Sequence, residues 1–518
     1  MTTWQNILGI AAVGTERQEV PLPPSDSLLG RTLNTLDVSD REGALLSAVA
    51  LAALHRQAGF RATADGLPLP EVSAAEKLPR CSAAAGRHLA LMLGGEFKEV
   101  LPEWLAALRG AGRRVREEHL PALLDKGSTE RALRPLVVEV LGNRGRWLAA
   151  QNAAWGWASA GVEPDGWETA GRDERLALLR ALRETDPGRA RELLSSTWKG
   201  EPAKDRTSFL QTLHIGLNEE DETFLTGALE DRSAEVRRTA VELLLRLPSS
   251  RLTRLVCERV SSLLSYRKPT LRKPLIEVNL PDDPEKWQKE NQLPWEFPAA
   301  VAPSTSLGQK GLWLLRAVGC VPPTTWRAAW GKSPAEVLVA ASNSEWSEAL
   351  LSGMAVASAR LADAEWIEAL LSDRELRQAL FRVSNSAELV SRLPADRLEA
   401  LALKELSAAR GGARLDDSAL WILWSHQGRW SEELSRAVVE SVKGSILGRA
   451  AESFGWQLIS GLGRVALHAP PALADELTSD WPAYTEGVWQ KSIEEFHSVL
   501  GFRRDTLRAI VQEEETEV

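Results

Sequence analysis

Apolar residues recur at helical spacing along most of the chain, and the clearest example is residues 221–248, DETFLTGALEDRSAEVRRTAVELLLRLP. The first half places four apolar side chains on one stripe: Phe224, Leu225, Ala228 and Leu229. Residues 231–233 then supply side-chain oxygens that can cap a second helix. The apolar stripe of that helix is Val236, Ala240, Leu243, Leu244 and Leu247, and Pro248 ends the pattern. The segment therefore predicts two short helices packed against each other.

Two short amphipathic helices cannot bury both apolar stripes alone, so neighbouring pairs must stack. This segment also resembles a HEAT repeat in its aspartate, its serine, Val-Arg-Arg and the following alanine. Helical patterns of similar length fill residues 172–267 and resume after residue 306. The predicted fold class is all-α, a HEAT-like α-solenoid of stacked antiparallel helix pairs.

Breaks in the helical pattern divide the chain into five parts. We predict an N-terminal helical region (1–160), HEAT-like repeats (161–266), a proline-rich connection or insertion (267–306), degenerate C-terminal helical repeats (307–512) and a disordered acidic tail (513–518). The proline-rich part has no sustained period and carries four basic residues, Arg267, Lys268, Arg272 and Lys273. It is either a partner-binding arm or a plain linker.

A short internal repeat marks the C-terminal region, with EWSEALL at 345–351 and EWIEALL at 365–371. Asn343 and Asp363 stand at equivalent positions and are predicted to cap the two helices. Each tryptophan then falls in a first helical turn and forms part of a stacking surface. Tryptophan is unusually abundant, with 20 Trp against 9 Phe and 2 Tyr. We interpret most of them as large wedges between helix layers.

The most unusual block is residues 141–157, LGNRGRWLAAQNAAWGW. Gly142 and Gly145 indicate a positive φ or a close approach, and Trp147 is predicted to open a short helix. The block lacks the Gly-Lys-Ser/Thr of a phosphate loop. It is either a tight junction between helices with core tryptophans or a polar and aromatic patch for a protein partner. The candidate partner-binding residues are Arg144, Arg146, Trp147, Gln151, Asn152 and Trp155.

Charge and composition narrow the function classes. The net charge of −9 argues against general nucleic-acid affinity. No run of about 18 apolar residues predicts a membrane span. The start of the chain has no signal-peptide pattern, and three widely spaced cysteines predict a reducing, cytoplasmic location. One basic cluster, residues 109–116, is either a solvated helix end or a phosphate-binding site.

Linear motifs for catalysis are missing from the sequence. We find no nucleophile elbow, Walker loop, zincin helix or paired CxxC. The seven histidines show no i, i+3 or i+4 pairing, which argues against a metal site on a helix. We therefore predict no catalytic residue, no metal and no cofactor, and a protein that is not an enzyme.

Several stretches resemble an uncharacterised bacterial family of HEAT-like repeat proteins, a family defined by a domain of unknown function. They are AAVGTERQ near the start, LPALLD at 120–125, LGNRGRWLAAQN, DETFLTGALEDRSAEVRRTA and Phe502-Arg503. Such proteins tend to be encoded beside a MoxR-type AAA+ ATPase, a von Willebrand A-domain protein and a SWIM zinc-finger protein. The resemblance implies a scaffold or adaptor in such an assembly, and it carries over no catalytic residue.

Three hypotheses follow. The preferred one is a non-enzymatic scaffold whose concave face binds a protein partner. The alternative is a HEAT-like nucleic-acid-binding or DNA-repair protein, which requires residues 109–116 to converge with Arg237 and Arg238 on one stripe. The third is a HEAT-like enzyme, such as the lyases that attach tetrapyrroles to proteins, which requires a deep polar pocket.

Overall fold

The computed structural model describes residues 10–16, 28–58, 70–159, 166–293, 297–298, 307–383, 386–410, 416–447, 461–482 and 487–511. The chain forms two compact units, residues 1–72 and 73–518. Apart from the two short strands of one hairpin, the regular structure within the described ranges is helical, which confirms the all-α prediction. The predicted boundaries at 160, 266 and 306 stay predictions, and the predicted acidic tail lies outside the described residues.

The first unit contains α1 (Leu28–Leu33) and α2 (Arg41–Ala58), which share a small core of Leu33, Ala48 and Ala52. The second unit begins with α3 (Ala83–Leu93), α4 (Leu101–Gly110), α5 (Leu120–Thr129), α6 (Arg134–Val140), α7 (Gly142–Ala150), α8 (Arg172–Thr185), α9 (Pro187–Thr197), α10 (Ala203–Thr212), α11 (Glu222–Ala228), α12 (Ala234–Leu244) and α13 (Arg251–Ser261).

A β-hairpin follows, with strands β1 (Leu264–Arg267) and β2 (Leu275–Val278). The remaining helices are α14 (Pro284–Glu290), α15 (Gln309–Gly319), α16 (Pro323–Trp330), α17 (Pro334–Ser342), α18 (Ser347–Leu361), α19 (Ala364–Ser372), α20 (Arg374–Val383), α21 (Ser386–Ser391), α22 (Ala395–Arg410), α23 (Asp417–Ser425), α24 (Glu432–Leu447), α25 (Leu462–His468), α26 (Ala474–Leu477) and α27 (Gly487–Val511). Among the described helices, none is both long and apolar enough to cross a bilayer.

Helices α8, α10 and α12 start at Arg172, Ala203 and Ala234, at equal intervals along the chain, and each packs against the next. An arginine occupies the fourth position of each helix: Arg175, Arg206 and Arg237. We refer to these three residues as the arginine ladder. These three helices therefore share their spacing, their packing against each other in order and the position of one arginine.

The arginine ladder bonds to the turns between the helices. Arg175 donates to both carboxylate oxygens of Glu201, at 2.7 and 2.8 Å, and its guanidinium lies 4.9 Å from the ring centres of Trp167 and Phe209. Arg206 donates from Nη2 to Asp231 Oδ1 at 2.9 Å. Because these pairs are largely buried and bidentate or stacked, they hold each turn in place.

The segment 221–248 forms the two predicted helices, but Ser233, at the start of the second helix, makes no side-chain cap bond. All five apolar residues assigned to its second helix are buried. The helix ends at Leu244, and a short turn precedes Pro248. Asp221 at the start of the segment is fully buried and pairs with Arg183, with Arg183 Nη2 2.7 Å from Asp221 Oδ2. Arg191 Nη1 donates to the same carboxylate at 2.8 Å, so Asp221 joins α9 and α8 to the segment.

The predicted helix cap at Asn343 is wrong, whereas that at Asp363 is confirmed. Asp363 Oδ1 accepts the N–H of Trp366 at 3.3 Å, and Trp366 is fully buried. Asn343 instead ends α17, and its side-chain amide donates to the carbonyl of Pro274 at 3.1 Å. The asparagine also donates to the Val339 carbonyl at 2.8 Å, so it links the last turn of α17 to the β-hairpin instead of capping the start of the next helix. The core interpretation of tryptophan is confirmed for Trp104, Trp167, Trp326 and Trp366, which are fully buried.

Candidate functional site

The helix in the unusual block starts earlier than predicted. Trp147 was predicted to open it, but α7 begins at Gly142. The carboxylate of Glu76 accepts the backbone N–H groups of Asn143 and Arg144, both at 2.8 Å. A carboxylate that accepts two of the free N–H groups of the first turn caps the helix and complements its dipole. A residue far back in the chain therefore decides where this helix starts.

Both glycines of the block behave as expected. Gly142 has a φ of +68°, and a Cβ there would lie 2.6 Å from Glu76 Oε2 and 2.8 Å from Arg114 Cδ. A Cβ at Gly145 would lie 2.7 Å from the Cβ of Leu141. Gly142 thus lets the segment that carries Glu76 approach the helix end, and Gly145 lets α7 pack closely on its neighbours.

The end of the block is tied to α5. Asn152 caps the next turn, since its Oδ1 accepts the N–H of Ala154 at 3.0 Å. The indole N–H of Trp155 donates to Asp125 Oδ1 at 2.8 Å, and that of Trp157 donates to Ser128 Oγ at 3.0 Å. Both rings are half-buried against the core of this region. Asn152 and Trp155 therefore have structural roles within the chain, as the junction alternative expects.

Three other candidates lie together on the outer side of α7. Arg144, Trp147 and Gln151 are spaced i, i+3 and i+7, which places them on one face of a helix. Arg144 and Gln151 are exposed and Trp147 is half-buried. Gln151 Nε2 donates to the Trp147 carbonyl at 3.3 Å. We call Arg144, Trp147 and Gln151 the α7 stripe. Arg146 is also exposed, but its Nη2 donates to the carbonyl of Val138 at 3.2 Å, away from the stripe.

The basic cluster at residues 109–116 is matched by acceptors of the chain itself. Arg109 Nη1 donates to Glu139 Oε2 at 2.9 Å, and Arg116 Nε donates to Glu118 Oε1 at 2.8 Å. The Arg116 guanidinium holds the pKa of the Glu118 carboxyl below its ordinary value. The two other arginines of the cluster also donate to protein oxygens: Arg113 to Arg80 O and Arg114 to Leu78 O and Glu117. This arrangement favours a structural role over phosphate binding.

The second group of arginines named for nucleic-acid binding, Arg237 and Arg238, also interacts with other residues of the chain. Arg237 Nη1 donates to the carbonyl oxygens of Asp231 and Arg232, at 2.7 and 3.1 Å. Arg238 lies beside it at an open depression of about 410 Å³, together with His214 and Glu242. The Glu242 carboxylate accepts two N–H bonds from Arg360, at 2.9 and 3.1 Å.

Within the described ranges, no group of three or more His, Cys, Asp or Glu side chains is placed to hold a metal ion.

Comparison with known protein families assigns the chain. The model of a family of unknown function, DUF5691, matches residues 6–510. The chain belongs to the DUF5691 family. No significant match was found among curated proteins or among solved structures.

In this DUF5691 member, two features of the surface had no clear signal in the sequence. Glu76 stands in a stretch without helical period, so nothing indicated that it caps α7. The four basic residues of the proline-rich stretch are plain in the sequence, but the hairpin that presents them is not. The cap depends on a contact between residues far apart in the chain, and the hairpin consists of two strands too short to show a clear pattern.

Proposed function

We propose that this protein is a non-enzymatic helical scaffold that binds a protein partner through the α7 stripe. The observation that carries the proposal is the combination of a firmly held helix with a half-buried tryptophan that lies between two exposed side chains. Glu76 caps the start of α7, and the residues after its end are tied to Asp125. Trp147 then stands between the exposed residues Arg144 and Gln151. Tryptophan and arginine are enriched among the residues that dominate binding energy at protein interfaces.

A rigid presentation of these side chains favours binding. Interface residues that are already ordered in the free protein lose less conformational entropy on association. The capped helix α7 satisfies this condition. Two glycines of the helix itself, Gly142 and Gly145, allow close packing that holds the backbone in place.

We further propose that the helices of the second unit form a HEAT-like α-solenoid. Its support is the equal spacing of α8, α10 and α12 and the arginine ladder that bonds successive turns. Solenoids of this kind present extended surfaces, which suits a scaffold. The resemblance noted above supports a bacterial, cytoplasmic assembly with a MoxR-type AAA+ ATPase or a von Willebrand A-domain protein as the partner.

The test is a pull-down of the tagged full chain from its native lysate, compared with the variant Trp147→Ala. We expect the variant to lose the bound protein while its circular-dichroism melting curve stays close to that of the wild type. The matched control is Trp421→Ala, which removes another half-buried tryptophan, on α23. A Trp147→Ala protein that retains the partner, or that unfolds, would count against the stripe as the binding surface.

A further inference from the structure

The β-hairpin has a firmly held base. Ile276 is buried, and its carbonyl accepts the hydroxyl of Ser344 at 2.7 Å. The Asn343 amide donates to the Pro274 carbonyl at 3.1 Å, and Asn279 N–H donates to the Leu263 carbonyl at 2.8 Å. Hydrogen bonds from two sides hold both ends of the second strand. The loop between the strands is therefore carried on a positioned support.

The loop itself, residues 268–273, is exposed throughout, and we call it the hairpin tip. Leu271 at its centre is 97% exposed, the highest value among the exposed large apolar residues described. Pro269 restricts the backbone of the tip, and Pro274 ends it. When a partner covers a solvent-exposed leucine on a restricted loop, the burial of apolar surface stabilises the complex.

Three cations of the tip surround this leucine. A fourth basic residue, Arg267 at the end of β1, forms an ion pair with Glu277, with Arg267 Nε 3.0 Å from Glu277 Oε2. Lys268, Arg272 and Lys273 are exposed and form no ion pair with any residue that the structure describes. This contrasts with the arginines of the ladder and of residues 109–116, which donate to acceptors of the chain. The tip thus concentrates unmatched positive charge on a chain with a net charge of −9.

We propose that the hairpin tip docks into a partner protein, with Leu271 in an apolar pocket and carboxylates at the rim of that pocket facing the three cations. This inference rests on the proposed scaffold function and adds the chemistry of a second contact. An apolar centre with charges around it is the usual anatomy of a protein interface. Complementary charge at the rim raises the association rate and selects the partner.

A protein partner fits better than nucleic acid or a lipid surface. The tip contains no aromatic side chain on which a base could stack. Its three cations stand on a chain with a net charge of −9, which a polyanion or an anionic bilayer would repel at long range. A single acidic pocket needs only local complementarity.

The experiment selects binders of the immobilised full chain from a random 12-residue peptide library, then measures binding of the enriched peptides by fluorescence anisotropy. One variant combines Lys268→Ala, Arg272→Ala and Lys273→Ala, and a second is Leu271→Ser. The charge-matched control combines Lys98→Ala, Lys204→Ala and Lys289→Ala, three exposed lysines on other elements. A 20-base-pair DNA duplex and vesicles of phosphatidylcholine with phosphatidylglycerol serve as the other probes.

We expect peptides in which acidic residues surround one or two apolar residues. Both tip variants should weaken their binding at least about tenfold at 0.1 M salt, and the control should leave it within about threefold. For the wild type, 0.5 M salt should weaken binding because screening removes the rim attraction. Selection without acidic peptides, unchanged binding by the tip variants, or tighter tip-dependent binding to DNA or vesicles would overturn the proposal.

Failure of this inference is distinguishable from failure of the scaffold function. If Trp147→Ala loses the native partner and the tip variants keep both that partner and the peptides, the tip proposal falls and the scaffold function stands. If the tip binds acidic peptides but Trp147→Ala keeps its partner, the α7 stripe is the part that falls.

Discussion

Arg503 and Glu103 stand 400 positions apart in the chain and form a two-bond ion pair, with donor–acceptor distances of 2.6 and 2.9 Å. The Arg503 side chain is almost fully buried and also donates to the carbonyl of Ala469 at 2.8 Å. This pair joins α27, the last described helix, to α4, near the start of the second unit. A buried guanidinium with several acceptors is held in one orientation, so the pair sets how α27 packs.

Other contacts strengthen the same joint. Phe502 stacks on Phe97 with ring centres 4.1 Å apart. Ser82 Oγ donates to the Ala509 carbonyl at 2.8 Å, and Ala509 belongs to the core formed by the first helices of this unit. The early and late parts of the second unit therefore depend on each other for stability.

Replacing Arg503 with Met should destabilise the second unit by about 3–5 kcal/mol, because a mostly buried Glu103 loses its main partner. Chemical denaturation measures the free energy of unfolding. Hydrogen exchange should show faster exchange in both α27 and α4. As a control, Arg327→Ala removes the exposed pair Arg327–Glu365 and should cost less than about 1 kcal/mol. Equal denaturation midpoints for Arg503→Met and wild type would contradict this account of the joint.

Replacing Gly127 with Ala should destabilise the protein by about 1–3 kcal/mol, although Gly→Ala inside a helix is normally stabilising. A Cβ at Gly127 would lie 2.3 Å from Cη2 of Trp157. That ring is held by its bond to Ser128 and by Arg134, whose guanidinium lies 5.1 Å from the ring centre, so it cannot move aside freely. Thermal denaturation gives the sign of the effect.

The matched control for that substitution is Gly444→Ala. Gly444 lies inside α24, is exposed, and has no atom that a Cβ would meet within 4 Å. This substitution should stabilise by up to about 1 kcal/mol. If Gly127→Ala stabilised the protein as Gly444→Ala does, Trp157 would not press against α5.

The free energy of unfolding should fall as the pH drops below about 6.5. Burial, together with the charges of Arg503 and His426, lowers the pKa of His468 in the folded protein. Burial likewise lowers the pKa of His88 and of His497. Because the unfolded chain binds these protons more readily, the contribution of the three histidines to stability is full above the unfolded pKa. It is lost as the pH falls from that value through the lower pKa of the folded protein. Denaturation at pH 7.5, 6.5 and 5.5 measures the change.

His468→Gln should make that decrease smaller. Carboxylates affect the stability at lower pH. The Arg175 guanidinium lowers the pKa of Glu201, so the contribution of this carboxylate to stability is present above about pH 4.5 and is lost as the pH falls below that value. An unchanged profile between pH 7.5 and 5.5 in the His468→Gln variant would show that this histidine is not held neutral by the fold.

Sequence periodicity predicts helices well where apolar positions repeat. Val236, Ala240 and Leu244 are buried as predicted, because a helical stripe must face the core whatever its neighbours are. The buried role of Asp221 has no such signal, since it depends on Arg183 and Arg191 from two other helices. Asn343 shows the same limit. Local spacing predicts that it caps a helix, but its side-chain amide donates to the carbonyl of Pro274 in the hairpin.

The candidate site was predictable only in part. The glycines at 142 and 145 predict a positive φ or a close approach of another segment. Gly142 has the positive φ, and at both positions neighbouring atoms approach closely. The start of α7 depends on the distant Glu76, and the role of Trp155 depends on Asp125. The hairpin has little signal in the sequence because its strands are only four residues long and prolines stand in the loop between them.

The most direct test of the scaffold function is the affinity of purified wild type and Trp147→Ala for the protein recovered in the pull-down, measured by calorimetry. We predict a loss of at least 2 kcal/mol, about thirtyfold in the dissociation constant, with Trp421→Ala unchanged. Equal affinities for wild type and Trp147→Ala would contradict the assignment of the α7 stripe as the binding surface. Recovery of nucleic acid alone, with no bound protein, would contradict the scaffold function itself.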